Sequence, residues 1–366
     1  MRIGIDAHAL GTRAGGNETY VRQLLRAIHT VAPETDLVAL VNPNAGKRHV
    51  VCREFPIIPL AVRSSWVRVP ILLPMAAIRQ RLDILHVQYT APPYCPCPYV
   101  VALHDVVWKR FPETLMPVER YRLQLLTPGT LRRARRVFCL TNAIKQEVAE
   151  IYRVSPEKID VVSPAVDPMY RPISDESALT AVRERYRLPQ DYILCISTLQ
   201  PRKNVVRLAQ AVARLSEHGL PHRLVLTGRR TFYGPIAEEL EKRGLADQII
   251  FTGYLDDADL PALICGAAAF AYVSIYEGFG FPVVEALASG VPVLISTAAA
   301  LVEVAGDAAL KCDPYDVEAM ESGLVRLLTD SALRRHCAEA GPQRARRFTF
   351  EDMGRAALEG YRKALA

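Results

Sequence analysis

"AAFAYVSIYEGFGFPVVEALASGVPVLIS", residues 268–296, decides the fold. Residues 268–274 are an apolar run of strand length, and 291–296 are another. Between them, "PVVEALASG" (282–290) has helical spacing. Pro282 suits the first helical turn, and Gly290 sits where a C-terminal cap glycine belongs. Strand, loop, helix and strand in that order imply a parallel sheet with helices on its faces.

The loop 275–281 then lies at the carboxyl end of a strand. Glu277 stands in the loop, and Glu285 lies about one turn into the helix. Gly278 and Gly280 let backbone come close to a ligand, and the helix start offers unpaired N–H groups. A carboxylate on either side of such a loop suits the hydroxyl groups of a sugar. A glutamate that only complements the helix dipole would explain Glu285. It would not explain Glu277 beside G-F-G.

The same alternation runs through all 366 residues, enough for two domains. Strands are expected at 2–6, 37–41, 84–88, 99–105, 136–141 and 159–167, with helices at 17–32 and 142–154. A second set follows at 191–198, 223–228, 249–254, 268–274 and 291–296, with helices at 204–219 and 282–290. The polar, proline-bearing stretch 167–180 connects the sets. The expected organisation is a doubly wound domain over 1–170, another over 171–342, and an arginine-rich helix over 343–366. Open parallel sheets bind ligands at their carboxyl edges. If the two edges face each other, the cleft between the domains becomes the active site.

Composition narrows the class. The chain is 50% hydrophobic and 23% charged, a globular balance. It lacks an apolar run of about 18 residues, so no spanning helix is expected. Its start, "MRIGIDAHAL", reads as a strand rather than a signal peptide, so a cytoplasmic protein is expected. Cys95 and Cys97 form C-P-C among prolines, without the spacing or second pair of a metal site. The net charge is +6, yet residues 1–170 carry +8 and the remainder −2. That half attracts anionic partners, or is simply solvated. Aromatics are sparse around its basic residues, which argues against nucleic acid.

Three further stretches sit at strand ends. "STLQPRKN" (197–204) holds Arg202 and Lys203 ahead of a helix expected to be capped by Asn204. Two cations there suit a diphosphate leaving group. "GTRAGGNETYV" (11–21) puts a double glycine before a helix, without a dinucleotide or P-loop fingerprint. "VVALHDVVW" (100–108) ends in His104, suited to a sugar hydroxyl, and Asp105, suited to act as a base or to fix a loop.

Together these motifs resemble the retaining family-four glycosyltransferases. The resemblance is carried by Glu277 and Glu285 in E-G-F-G-F-P-V-V-E, P-R-K-N at 201–204, Gly15-Gly16, "FTGYLDDADLPAL" (251–263) and "EVAGDAAL" (303–310). It covers nearly the whole chain and resembles bacterial mannosyltransferases of surface polysaccharide or glycolipid synthesis. It implies a GT-B fold, two Rossmann-like domains facing across a cleft, with the last helix crossing back to the first domain. It implies a nucleotide-diphosphate sugar donor, GDP-mannose ahead of UDP-glucose, with no cofactor and no metal. Glu285 would hold the ribose, and the backbone around Tyr254 and Leu255 would meet the base. Arg202, Lys203 and the Gly16 amide would grip the diphosphate. Glu277 and the backbone of Phe279, Gly280, Phe281 and Pro282 would hold sugar and phosphate, and His104 would touch the sugar. Asp256 and Asp257 would cap a helix rather than bind metal. Ser197 and Gln200 stand where many relatives have Gly and Glu.

The first domain carries the acceptor in this fold. Its charge suggests docking on an anionic bilayer to reach a lipid-linked acceptor, with Arg132, Arg133, Arg135 and Arg136 clustered at a helix end. The stretch 64–81 reads either as a helix covering the sheet or, through Trp66, as an interfacial contact. Rival readings are a sugar-nucleotide epimerase with the same donor pocket, or a non-catalytic nucleotide-sugar sensor.

Overall fold

Short apolar runs bounded by helical stretches cannot bury both faces unless they stack side by side under helices. The computed structural model shows that arrangement twice. It describes residues 1–12, 15–43, 55–62, 64–228, 233–253 and 255–366. One unit comprises Met1–Ala165 with Phe348–Ala366, and the other Val166–Arg347.

The first unit has seven parallel strands: β1 (Arg2–Asp6), β2 (Asp36–Val41), β3 (Ile57–Pro59), β4 (Ile84–Gln88), β5 (Tyr99–Leu103), β6 (Arg136–Cys139) and β7 (Ile159–Val161). Their order is β3-β2-β1-β4-β5-β6-β7. The second unit has six: β8 (Tyr192–Ile196), β9 (Arg223–Thr227), β10 (Ile249–Gly253), β11 (Ala269–Tyr272), β12 (Val293–Ser296) and β13 (Leu310–Cys312), in the order β10-β9-β8-β11-β12-β13. β4, β5 and β11 are buried along their whole length, as central parallel strands must be.

β3 and β13 were not expected from sequence. Each is a three-residue edge strand with half-exposed positions; Pro56 and Pro59 flank the two isoleucines of β3, and Lys311 stands at the centre of β13. Several strands end earlier than their apolar runs. β5 stops at Leu103, which leaves His104 and Asp105 in the loop beyond the ladder.

The arginine-rich tail is not one helix from 343. Residues 343–345 finish a helix, Ser331–Ala345, that packs on Phe281–Ala288 in the second unit. The final helix, Phe350–Leu365, packs on Gly16–Val31 in the first. Two glycines let the final helix sit close to its neighbours, Gly354 on Gly16–Val31 and Gly360 on β6. A Cβ on Gly354 would stand 2.3 Å from the Ala27 carbonyl oxygen, and one on Gly360 would stand 2.4 Å from the Phe138 ring. Tyr361 anchors the helix, its hydroxyl 2.9 Å from His86 Nδ1. Tyr20 approaches the other ring nitrogen at 3.4 Å.

Candidate functional site

In the second unit the strand order reverses between β8 and β11, which pair directly. The connections from these two strands leave in opposite directions, and a crevice opens where they part. Two predicted motifs meet there. Beyond β8, Pro201–Lys203 form a single 3-10 turn, and Asn204 takes a left-handed backbone with φ 61°. Beyond β11 runs the glycine loop to Gly280, whose φ of 100° sets it up for glycine. A Cβ there would also stand 2.6 Å from Leu301 Cδ2. The helix Phe281–Ala288 starts next, with Pro282 in its first turn.

Side chains bind the two loops into one cluster. Arg202 Nη1 donates to the Tyr276 carbonyl at 2.8 Å and lies 3.2 Å from Glu277 Oε2. Lys203 Nζ donates to the Tyr272 hydroxyl at 2.7 Å and to Glu277 Oε1. The Ile275 N–H donates to the Arg202 carbonyl at 2.8 Å. Lys203 and Glu277 are both 8% exposed. Burial pushes the Glu277 carboxyl up, but Lys203 and Arg202 outweigh it and hold the group at about 2. Burial pulls the Lys203 ammonium down, and Glu277 offsets only part of that. The cluster of two cations and one carboxylate therefore carries one net positive charge, beside a helix start that favours anions.

Asn204 does not cap its helix with its side chain. Its amide donates instead to the Val273 carbonyl at 3.1 Å and the Pro314 carbonyl at 2.5 Å, pinning the loop that carries Glu277. Glu285 is half-buried on the helix after the loop, and Gly278 and Phe279 are buried within it. Phe279 packs against the Phe281 ring at 5.2 Å. Leu255 is buried after β10, whereas Tyr254 lies outside the described residues. Asp256 makes no side-chain cap; Asp259 binds Arg185 and Tyr186 instead. Among the described residues no three His, Cys, Asp or Glu side chains converge as a metal would require.

The first unit holds Gly16 and His104. Gly16 is exposed and opens the first helix, after Gly15 with φ 61°. His104 is 5% exposed, between the rings of Tyr20 at 4.4 Å and Tyr89 at 5.3 Å. Its Nδ1 lies 2.8 Å from Asn17 Oδ1. Burial, with His86 and His8 nearby, pushes the ring down to about 3, so it is neutral at pH 7. Asp105 accepts from the Val107 N–H at 3.1 Å and fixes the loop. Sequence reading missed Asp6, Arg68 and Gln88, which are buried at the same sheet edge. The visible signal was the carboxylate closing the apolar run "RIGID".

Comparison with known proteins places the chain in a family. Residues 181–344 match the family described as glycosyl transferases group 1, and residues 14–170 match glycosyltransferase family 4. The chain is 32% identical over 267 residues to O-antigen chain mannosyltransferase B of Escherichia coli, covering 72% of this chain and 70% of that protein. It is 31% identical over 264 residues to the MMP α-(1→4)-mannosyltransferase of Mycolicibacterium hassiacum, covering 71% and 58%. Among solved structures, sucrose-phosphate synthase from Thermosynechococcus elongatus aligns with a TM-score of 0.77 at 20% identity, covering 99% of this chain and 98% of that one. That likeness shows the GT-B fold.

Proposed function

The chain belongs to the family-four glycosyltransferases, and on that premise we propose that it moves a mannosyl group from GDP-mannose to a hydroxyl of a saccharide or lipid-linked acceptor. UDP-glucose is the second donor candidate. The reading includes retention of anomeric configuration and no requirement for a metal. It is supported by the mannosyltransferase names of relatives at about 30% identity. The observation that carries it is the Glu277–Lys203–Arg202 cluster at the switch point of the second sheet.

As the bond from sugar carbon to phosphate oxygen breaks, negative charge grows on the diphosphate. Lys203 uses two of its three N–H groups on Tyr272 and Glu277, so one remains to meet that charge. Arg202 adds a second positive charge fixed in place before the reaction. The acceptor oxygen attacks from the face the diphosphate leaves, and its proton passes to a phosphate oxygen. Glu277 orients the donor sugar, and Glu285 holds the ribose hydroxyls. The amide of Gly16 and the neutral ring of His104 are assigned to diphosphate and sugar by the family likeness alone.

The test is thermal-shift titration with GDP, UDP, ADP and their mannose and glucose conjugates, with chelator present. A ligand that binds the native state raises the melting temperature. GDP or GDP-mannose is expected to stabilise the wild type and to lose that effect in Glu285→Ala. A shift with UDP alone would move the donor to a UDP-sugar. No shift with any nucleotide would sink the reading.

The lipid-linked form of the acceptor rests on the surface of the first unit. Among the described residues, every large exposed apolar side chain except Met169 and Tyr315 belongs to that unit. Ile71, Met75 and Ile78 share one outer side of the helical segment Ser65–Arg79, while Val69, Leu73, Ala76 and Ala77 are buried. The stretch is therefore helical and buried on one side, while Trp66 and its outer side are exposed. Val118, Tyr121 and Leu125 line one face of the helix Pro117–Arg133, which ends in exposed Arg132 and Arg133. An apolar face ending in arginines fits the cytoplasmic surface of an anionic bilayer. Among the described residues no helix is long and apolar enough to cross one. Vesicles containing anionic lipid are expected to sediment the protein, and high salt to release it. Equal binding to neutral vesicles, or none, would remove the membrane from the proposal.

A further inference from the structure

Each sheet reverses its strand order once: the second between β8 and β11, and the first between β1 and β4. The second crevice holds the Glu277 cluster. The first holds a polar cluster to which no ligand has been assigned. Asp6 closes β1 and Gln88 closes β4, so both stand at the carboxyl edge where doubly wound sheets bind ligands. They are 1% and 4% exposed.

This cluster is short of hydrogen-bond donors. Asp6 Oδ1 meets His8 Nδ1 at 3.1 Å. Its Oδ2 has no hydrogen bond, only the Arg68 guanidinium at 3.5 Å. Gln88 donates its amide N–H to the Asp6 carbonyl at 3.4 Å, which leaves Oε1 without a partner. His104 repeats the pattern. The Tyr89 hydroxyl and His104 Nδ1 both converge on Asn17 Oδ1, so Nδ1 carries the proton and the unpartnered Nε2 is a bare acceptor. Among these residues, the one fully buried donor atom without a partner is Arg68 Nε. Buried polar atoms left in this state are normally matched by ordered water or by a ligand.

A sugar hydroxyl supplies what is missing, since it donates one hydrogen bond and accepts others. A metal ion is disfavoured by Arg68 beside the carboxylate. A phosphate would bring more acceptors to a site that already has too many. We propose that Asp6, Gln88 and Arg68 form the subsite for the acceptor hexoside, with Asp6 Oδ2 and Gln88 Oε1 each accepting from an acceptor hydroxyl and Arg68 Nε donating back. The site selects a neutral saccharide face, whether the sugar is free or lipid-linked. This inference rests on the glycosyltransferase reading above.

The test measures initial rates on the full chain, using whichever nucleotide sugar stabilises the wild type. Methyl α-D-mannoside and methyl α-D-glucoside serve as acceptors. Gln88→Leu removes the unpartnered oxygen at nearly constant shape, and Asp6→Asn removes the charge. In each variant the KM for the effective hexoside is expected to rise by roughly tenfold or more. The nucleotide thermal shift and the KM for the donor should stay unchanged. Should Asp6→Asn fail to fold, Gln88→Leu carries the test. A wild-type acceptor KM in Gln88→Leu would overturn the proposal. So would a wild type that binds nucleotide but transfers to neither hexoside. A wild type that binds no nucleotide would instead defeat the glycosyltransferase reading, and this inference with it.

Discussion

Glu277 is the residue on which the second-unit cluster depends. It is the one carboxylate paired with both Lys203 and Arg202, which are themselves largely buried. Replacing it with glutamine keeps the shape but leaves Lys203 and Arg202 without a counter-charge. Breaking a buried pair this way costs about 3–5 kcal/mol, so Glu277→Gln should lower the urea midpoint markedly and abolish transfer. Its folded value of about 2 lies below the ordinary 4.5, so the ionised form is favoured by folding. The resulting stability is complete above pH 4.5 and is lost as pH falls towards 2. Melting temperature measured from pH 5 to 3 should therefore fall less steeply in Glu277→Gln than in wild type. Equal slopes would show that Glu277 is not held ionised by its neighbours. Glu277, Arg202 and Lys203 were each legible in sequence, because a polar residue just past an apolar strand faces the ligand edge of a parallel sheet. That Glu277 binds the other two was not legible, because Lys203 and Glu277 lie 74 residues apart and only strand pairing brings them together.

At the scale of elements, strand ends and helix contacts set the geometry. Asn204 was expected to cap a helix, yet its side chain ties two loops of the second unit together. Asn204→Ala should cost about 1–3 kcal/mol by stranding buried carbonyls. It should also weaken nucleotide binding in the thermal-shift titration, because the Glu277 loop loses its tether. Wild-type nucleotide binding in that variant would show that the loop holds itself. In the first unit, the helix Phe350–Leu365 relies on Gly354 for its approach to Gly16–Val31. The contact there is backbone carbonyl, which cannot rotate away. Gly354→Val should therefore lower the melting temperature, with an overpacking cost of about 1–3 kcal/mol. The strands 2–6 and 84–88 were readable to the residue, since 3–6 and 84–88 are continuous buried runs. β3 and β13 were not, because Pro56 and Pro59 flank the two isoleucines of the first and Lys311 stands at the centre of the second.

Across the molecule, acid stability reports on histidines buried neutral in the first unit. Burial pushes His86, between Tyr20 and Tyr361, down to about 3, and only Asp6 opposes that. The folded chain thus takes up fewer protons than the unfolded chain between pH 6.5 and 3. Stability falls as pH drops through that window, since the unfolded state gains what the folded state cannot. Thermal melts of the wild type should decline from pH 7 to 5, before carboxylates begin to titrate. His86→Gln, which cannot titrate, should flatten that decline even if it melts lower overall. A decline as steep as in wild type would assign the effect to other groups.

The sequence by itself determined the class of fold, two doubly wound parallel sheets, and the motifs of a glycosyltransferase at their strand ends. These are local properties: apolar runs of strand length, helical spacing, and glycines and charges at the junctions. Only the tertiary structure decided which of those groups act together. Glu277 closing on Lys203 and Arg202, Asn204 bridging two loops, and Asp6 lying beside Gln88 with unmatched oxygens all depend on strand order. Strand order is a property of the folded chain, because sheet neighbours such as β1 and β4 are far apart in sequence, and no local pattern records which strands will pair.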